Sequence, residues 1–84
     1  TNNNSYGAYI TEGTTFAQDK LEELKATQWD YILKGADNVL GCTGINYTRN
    51  WDIGTNGSIK TISIKINWND RIEHSISLLS VISQ

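Results

Sequence analysis

The chain has 84 residues, with seven Lys and Arg against nine Asp and Glu and a formal net charge of −2. The basic residues are scattered, which excludes a nucleic-acid face built on clustered Lys and Arg. The single cysteine excludes an intrachain disulfide, and no apolar run reaches the ~20 residues of a membrane span. A chain this short makes one domain, 1–84, with a small core: it buries only about 60% of its unfolded surface.

Residues 5–27 carry apolar or small residues at spacings of three and four: Tyr6, Ile10, Gly13, Ala17, Leu21 and Leu24. That spacing predicts one apolar face on a helix. The half from Thr14 to Thr27, "TTFAQDKLEELKAT", is rich in strong helix formers. The half before it holds Gly13, Ile10 and Thr11, which are weak ones, and predicts a frayed helix back to Ser5. "TNNNS" offers Asn and Ser side chains as caps for the first turn. The stripe serves either as the face covering this domain's own core or as one shared with another subunit.

Residues 28–44, "QWDYILKGADNVLGCTG", show no clean period. Gly35, Gly41 and Gly44 punctuate them and Asp37-Asn38 is a turn signal. They predict an irregular connecting loop, pinned by Trp29, Tyr31, Ile32, Val39 and Leu40, with room for one helical turn at 29–33.

Residues 45–84 alternate and are rich in β-branched and aromatic residues, which predicts three antiparallel strands: "INYTRNWDI", "SIKTISIKINW" and "HSISLLSVIS". "TNGS" is a hairpin signal, because Asn-Gly accepts the positive φ of a type I′ turn. Pairing Thr55 with Ser58 sets Trp51 opposite Ile62, Tyr47 opposite Ile66 and Ile45 opposite Trp68, all on one side of the sheet with Ile64. Arg49 falls on that same apolar side, its stem along the rings and its head toward the edge. In the second hairpin, pairing Asn69 with Glu73 sets Ile66 opposite Ile76 and Ile64 opposite Leu78. Leu79 and Val81 then point to the other side, unless a bulge after Leu78 returns them to the core. The fold class is therefore α+β, one N-terminal helix on a three-stranded meander. Ala17, Leu21 and Leu24 meet Ile62, Ile64 and Ile66.

Candidate chemistry is sparse. Asp70, Arg71, Glu73 and His74 cluster in or beside a turn, where polar residues are expected without any catalytic role. Cys42 has no locally spaced base. Asp30, Asp37, Asp52 and Asp70 lack the D-x-D-x-D-G spacing of a calcium loop. The glycines do not open a helix after a strand, so nothing cradles phosphate. The expectation is no enzyme, no catalytic residue, no metal and no cofactor. Exposed aromatics such as Tyr6, Tyr9 and Trp29 leave an adhesive or carbohydrate-binding module as the competing class.

Four stretches together resemble a type IV pilin-like protein, a PilV-like minor pilin or a related minor pseudopilin of type II secretion. "TTFAQDKLEELKAT" is similar to the later part of the long first helix of those proteins. "YTRNWDI" resembles their first strand, "TISIKINWND" their second and "HSISLLSVIS" their closing one. The resemblance covers residues 14–84. It implies a pilin-like fold and a structural role in assembling or modifying a filament. The expected place is the periplasmic face of the inner membrane and the extracellular pilus. The expected partners are other minor pilins, the major pilin and, through an apolar helix upstream of Thr1, the inner membrane. No nucleic acid is expected, and the domain by itself is expected to be monomeric. The candidate interface residues are Tyr6, Ile10, Phe16, Ala17, Leu79 and Val81.

Overall fold

The computed structural model describes the backbone of residues 2–84 and the side chains of residues 5–84. A helix, α1, runs Asn2–Lys25, and a short 3-10 turn follows at Trp29–Tyr31. Four strands come next: β1 (Gly35–Leu40), β2 (Asn46–Asn56), β3 (Ile59–Asp70) and β4 (Ile72–Ser83). They form one antiparallel sheet in the order β1-β2-β3-β4. The fold is α+β, with α1 on one face of the sheet and nothing over the other face among the described residues.

The helix is continuous through its weak half. Tertiary contacts outweigh propensity there, as they commonly do: Tyr9 and Ile10 pack on the core, and Gly13 lies against Tyr47, Ile66 and Trp68. At the other end the Thr27 hydroxyl donates to the Glu23 carbonyl at 2.8 Å and closes the last turn. Side chains of "TNNNS" before Ser5 lie outside the described residues, so the expected cap does too.

α1 lies lengthwise on the sheet. Tyr6 lies tilted against His74 near the start of β4, and Phe16 meets Tyr47 halfway along. The chain leaving the helix brings Trp29 over Lys60 at the start of β3. The helix therefore runs antiparallel to β3. Its buried line is Gly13, Ala17, Lys20 and Leu24, facing Tyr47, Ile62, Ile64, Ile66 and Trp68. Ala17 is 2% exposed and Leu24 5%, while Leu21 is only half-buried at the seam's margin.

Two sequence expectations are corrected. The sheet has a fourth strand, because residues 35–40 of the expected loop pair with β2, Gly35 opposite Trp51 and Val39 opposite Tyr47. Gly35, Asp37 and Val39 face inward and Ala36, Asn38 and Leu40 outward. A β-carbon on Gly35 would sit 2.6 Å from Trp51 Cζ2, so only glycine lets this strand cross the indole. The 29–33 turn is present as the 3-10 turn.

The first hairpin is also shifted by two residues. Asn56 pairs with Ile59, Ile53 with Ile62, Trp51 with Ile64 and Arg49 with Ile66. Gly57 and Ser58 are the two central residues, and only Gly57 has positive φ, +63°. This is the glycine-first pattern of a type II′ turn. It spares Asn56 the left-handed conformation that a type I′ turn over Asn56-Gly57 would demand. An even shift leaves every side chain on its expected face. The second hairpin keeps the expected register, with Asn69 opposite Glu73 and Ile64 opposite Leu78. The register runs on without a bulge to Ser83, so Leu79 and Val81 stay on the uncovered face.

Two sets of variants check this packing. Leu24→Ala is expected to cost about 2–5 kcal/mol and half-buried Leu21→Ala clearly less; urea melts giving equal losses would contradict the seam. Gly57→Ala is expected to cost roughly 1 kcal/mol or more by forcing a β-carbon into positive φ, and Asn56→Ala to stay within about 0.5 kcal/mol. The reverse order in thermal melts would mean the other turn.

Candidate functional site

The densest polar cluster sits under the helix. Arg49 rises from the inner face of β2, 13% exposed, and meets Asp37 of β1 through two parallel hydrogen bonds. Nε donates to Oδ1 at 2.7 Å and Nη2 to Oδ2 at 2.6 Å. Nη1 donates to the carbonyl of Phe16 on α1 at 3.0 Å. Lys20 completes the cluster: its Nζ is 2.8 Å from Glu23, 3.9 Å from Asp37 and 4.2 Å from the centre of the Trp51 ring. The Trp51 indole N–H donates to the Leu33 carbonyl at 3.1 Å.

The hydrogen bonds from Arg49 hold the Asp37 carboxyl below its ordinary value of 3.8, against a smaller opposing effect of burial. The same bonds raise the Arg49 guanidinium. Both groups stay charged, and the cluster binds three chain segments together.

A second polar knot fixes the β1–β2 connection. Glu12 of α1 accepts from the Cys42 backbone N–H at 2.6 Å, the Thr43 hydroxyl at 3.2 Å and the Tyr47 hydroxyl at 3.0 Å. The Tyr47 hydroxyl is shared with the Tyr9 carbonyl at 3.1 Å. Burial, followed by the hydrogen bond to Glu12, pushes the Tyr47 phenol far above its usual range, so it is a fixed donor.

Cys42 and His74 are not brought together. Cys42 is exposed just after β1, and His74 belongs to β4, with β2 and β3 between those strands. His74 lies between two rings, 5.3 Å from Trp68 and 5.1 Å from Tyr6. Asp70 ends β3, Arg71 makes the β3–β4 turn with φ +69°, and Glu73 lies at the start of β4. Two open grooves flank the helix ends. One, of about 500 Å³, is lined by Lys25, Trp29, Ile32, Val81 and Ile82 among others. The other, of about 260 Å³, is lined by Ser5, Tyr9, Asp70 and Arg71. No histidine or cysteine lines either one, and no three His, Cys, Asp or Glu side chains converge among the described residues.

The candidate interface residues divide by exposure. Tyr6 is 47% exposed on the first turns of α1. Ile10 and Phe16 are half-buried against the core, and Ala17 is sealed under the helix and offers no surface to a neighbour. Leu79 and Val81 are 68% and 59% exposed on the uncovered face of β4. In β2–β4 the rest of that face is mostly Thr, Ser and Asn, with Ile59, 41% exposed, diagonal to Val81, and Asp52, Lys65 and Glu73 as its charges. None of its residues is aromatic. Among the described residues no helix is long and apolar enough to cross a membrane.

Sequence reasoning missed Glu12, Lys20, Asp37 and Lys60 as inward-facing groups. The signal for two of them was present. Lys60 is in phase with Ile62, Ile64 and Ile66, and Lys20 lies three residues after Ala17 and four before Leu24. In comparisons with family models, curated proteins and solved structures, nothing matches this chain.

Replacing Arg49 with Met strands the Asp37 carboxylate and one lone pair of the Phe16 carbonyl. The expected loss is about 1.5–3 kcal/mol, toward the lower end because Asp37 is partly exposed. Because the Asp37 carboxyl is depressed in the fold, its contribution is complete above its unfolded value near pH 4 and is lost as pH falls through the folded value. Asp37→Asn should therefore flatten the fall in stability below about pH 4. An unchanged acid limb in urea melts of Asp37→Asn would show that other carboxylates carry it.

Proposed function

We propose that the chain is the globular part of a minor pilin, a structural subunit that joins other minor pilins and the major pilin in a type IV filament. The observation that carries this reading is the arrangement itself. A single long helix lies lengthwise on one face of an antiparallel meander, and on its first turns Ser5, Gly7 and Ala8 are exposed while Tyr6, its ring against His74, is still 47% exposed. A helix surface free of its own domain suits packing against other helices. In this reading the helix continues upstream of Thr1 into an apolar anchor in the inner membrane. The domain then sits on the periplasmic side or in the extracellular filament. A minor pseudopilin of type II secretion has the same requirements and is the alternative within this class.

Pull-down by the immobilised chain, with and without an upstream apolar helix restored, tests the reading. Small globular contacts are weak, so the bare chain should retain cognate pilin domains faintly, and the extended chain should retain them strongly. A glycan array run in parallel tests the carbohydrate-binding class, for which Tyr6 and Tyr31 are the exposed aromatics. Glycan binding lost in Tyr6→Ala or Tyr31→Ala, with no pilin retained by either form, would overturn the proposal.

A further inference from the structure

We infer that the free edge of β4 is a pairing site for the β4 edge of a second copy, giving a two-fold dimer with one continuous sheet. This goes beyond the filament reading and holds independently of it.

The two edges of the sheet differ. β1 is six residues long and turns the charged Asp37 inward, two devices that blunt an edge. β4 is twelve residues long and has no bulge. From Ser75 to Gln84 it contains no charged residue, and the whole chain has no proline.

The backbone direction along β4 follows from one bond. The Gln84 N–H donates to the Ser58 carbonyl at 2.8 Å, in step with the uninterrupted β3–β4 register. Hydrogen-bonded pairs alternate along an antiparallel ladder. Even-numbered residues of β4 therefore point their N–H and C=O groups at β3. Ser75, Ser77, Leu79, Val81 and Ser83 point theirs at the free edge.

One two-fold register uses these groups and the exposed side chains together. With Ser80 opposite Ser80 of the second copy, Leu79 pairs with its Val81 and Ser77 with its Ser83. Both pairs are of the outward-pointing, hydrogen-bonding kind. On the uncovered face, Leu79 and Val81 of both copies become one apolar cluster. On the helix side, half-buried Leu78 meets Ile82 of the second copy. Glu73 lies outside the paired stretch 77–83, so no like charges face one another within it. A two-fold contact is isologous and closes at a dimer. The expectation of a monomer came with the pilin resemblance and took no account of the edge, which adds unpaired backbone donors and acceptors.

The test is sedimentation of the 84-residue chain from about 1 µM to about 1 mM, with amide hydrogen exchange at both ends of that range. The expected result is a concentration-dependent dimer. With it, the amides of Ser77, Leu79, Val81 and Ser83 should become protected at high concentration. Those of Leu78 and Ser80, which point at β3, should be protected throughout. Leu79→Lys should raise the dissociation constant at least about tenfold. Ser77→Pro should do the same by deleting an outward N–H, a position on an edge strand where proline is tolerated. A monomer at every concentration with the odd-numbered amides always unprotected would overturn the inference. So would a dimer in which those amides stay unprotected, or one that both folded variants retain. Exchange on the unaltered chain decides the matter even where a variant fails to fold.

Discussion

Arg49 stands on the apolar side of β2, and its charge has to be met there. Leaving such a group unpaired at 13% exposure is costly, so the chain brings an acid to it. That acid is Asp37, and its position requires residues 35–40 to run as a strand beside β2. The fork geometry of the guanidinium fixes the carboxylate in two directions, and the third nitrogen-bound donor reaches the helix carbonyl of Phe16. One side chain thus ties β1, β2 and α1. The apolar seam of Ala17, Leu24 and the three β3 isoleucines supplies the burial, and the Arg49 cluster sets how the pieces align.

The β3 part of this core was legible in the sequence because its pattern is redundant. Ile62, Ile64 and Ile66 alternate strictly, and no register with the correct parity moves them off the helix side. That is why a hairpin shifted by two residues still left the expected core in place. The shift itself was not legible, because "TNGS" supports either pair of central residues, and the difference is the small cost of placing Asn56 in the left-handed region. β1 was hidden for a different reason. Gly35, Asp37 and Asn38 are poor strand formers by composition, and what makes them a strand is a partner twelve residues away in Arg49 and an indole under Gly35. The polar knot of Glu12 was hidden likewise, since its partners lie in the loop and strand at 42–47.

The inward lysines follow the same logic at lower cost. Lys20 and Lys60 each cover an indole, Trp51 and Trp29, with the stem in the seam and the ammonium over the ring. In a small core these pairs extend the covered surface toward the open end of the sheet without another large apolar residue. They also account for the placement of the aromatics. Every aromatic ring of the strands is turned toward the helix, which leaves the opposite face mostly to Ser, Thr and Asn, with Ile59, Leu79 and Val81 as its exposed aliphatic side chains in β3 and β4.

The two proposed contacts of this molecule use different atoms and have different symmetry. Helix packing in a filament is a head-to-tail contact that repeats from subunit to subunit, and it draws on the first turns of α1 around Ser5–Ala8. Pairing of β4 edges is self-complementary and closes after one partner. It draws on the backbone of Ser77–Ser83 and on Leu79 and Val81. The edge contact leaves the first turns of α1 free, so the two compete only where a filament contact also takes Leu79 and Val81. A subunit with both would have one growing direction and one closed side. A paired edge also removes the long template that β4 would otherwise offer to unrelated strands.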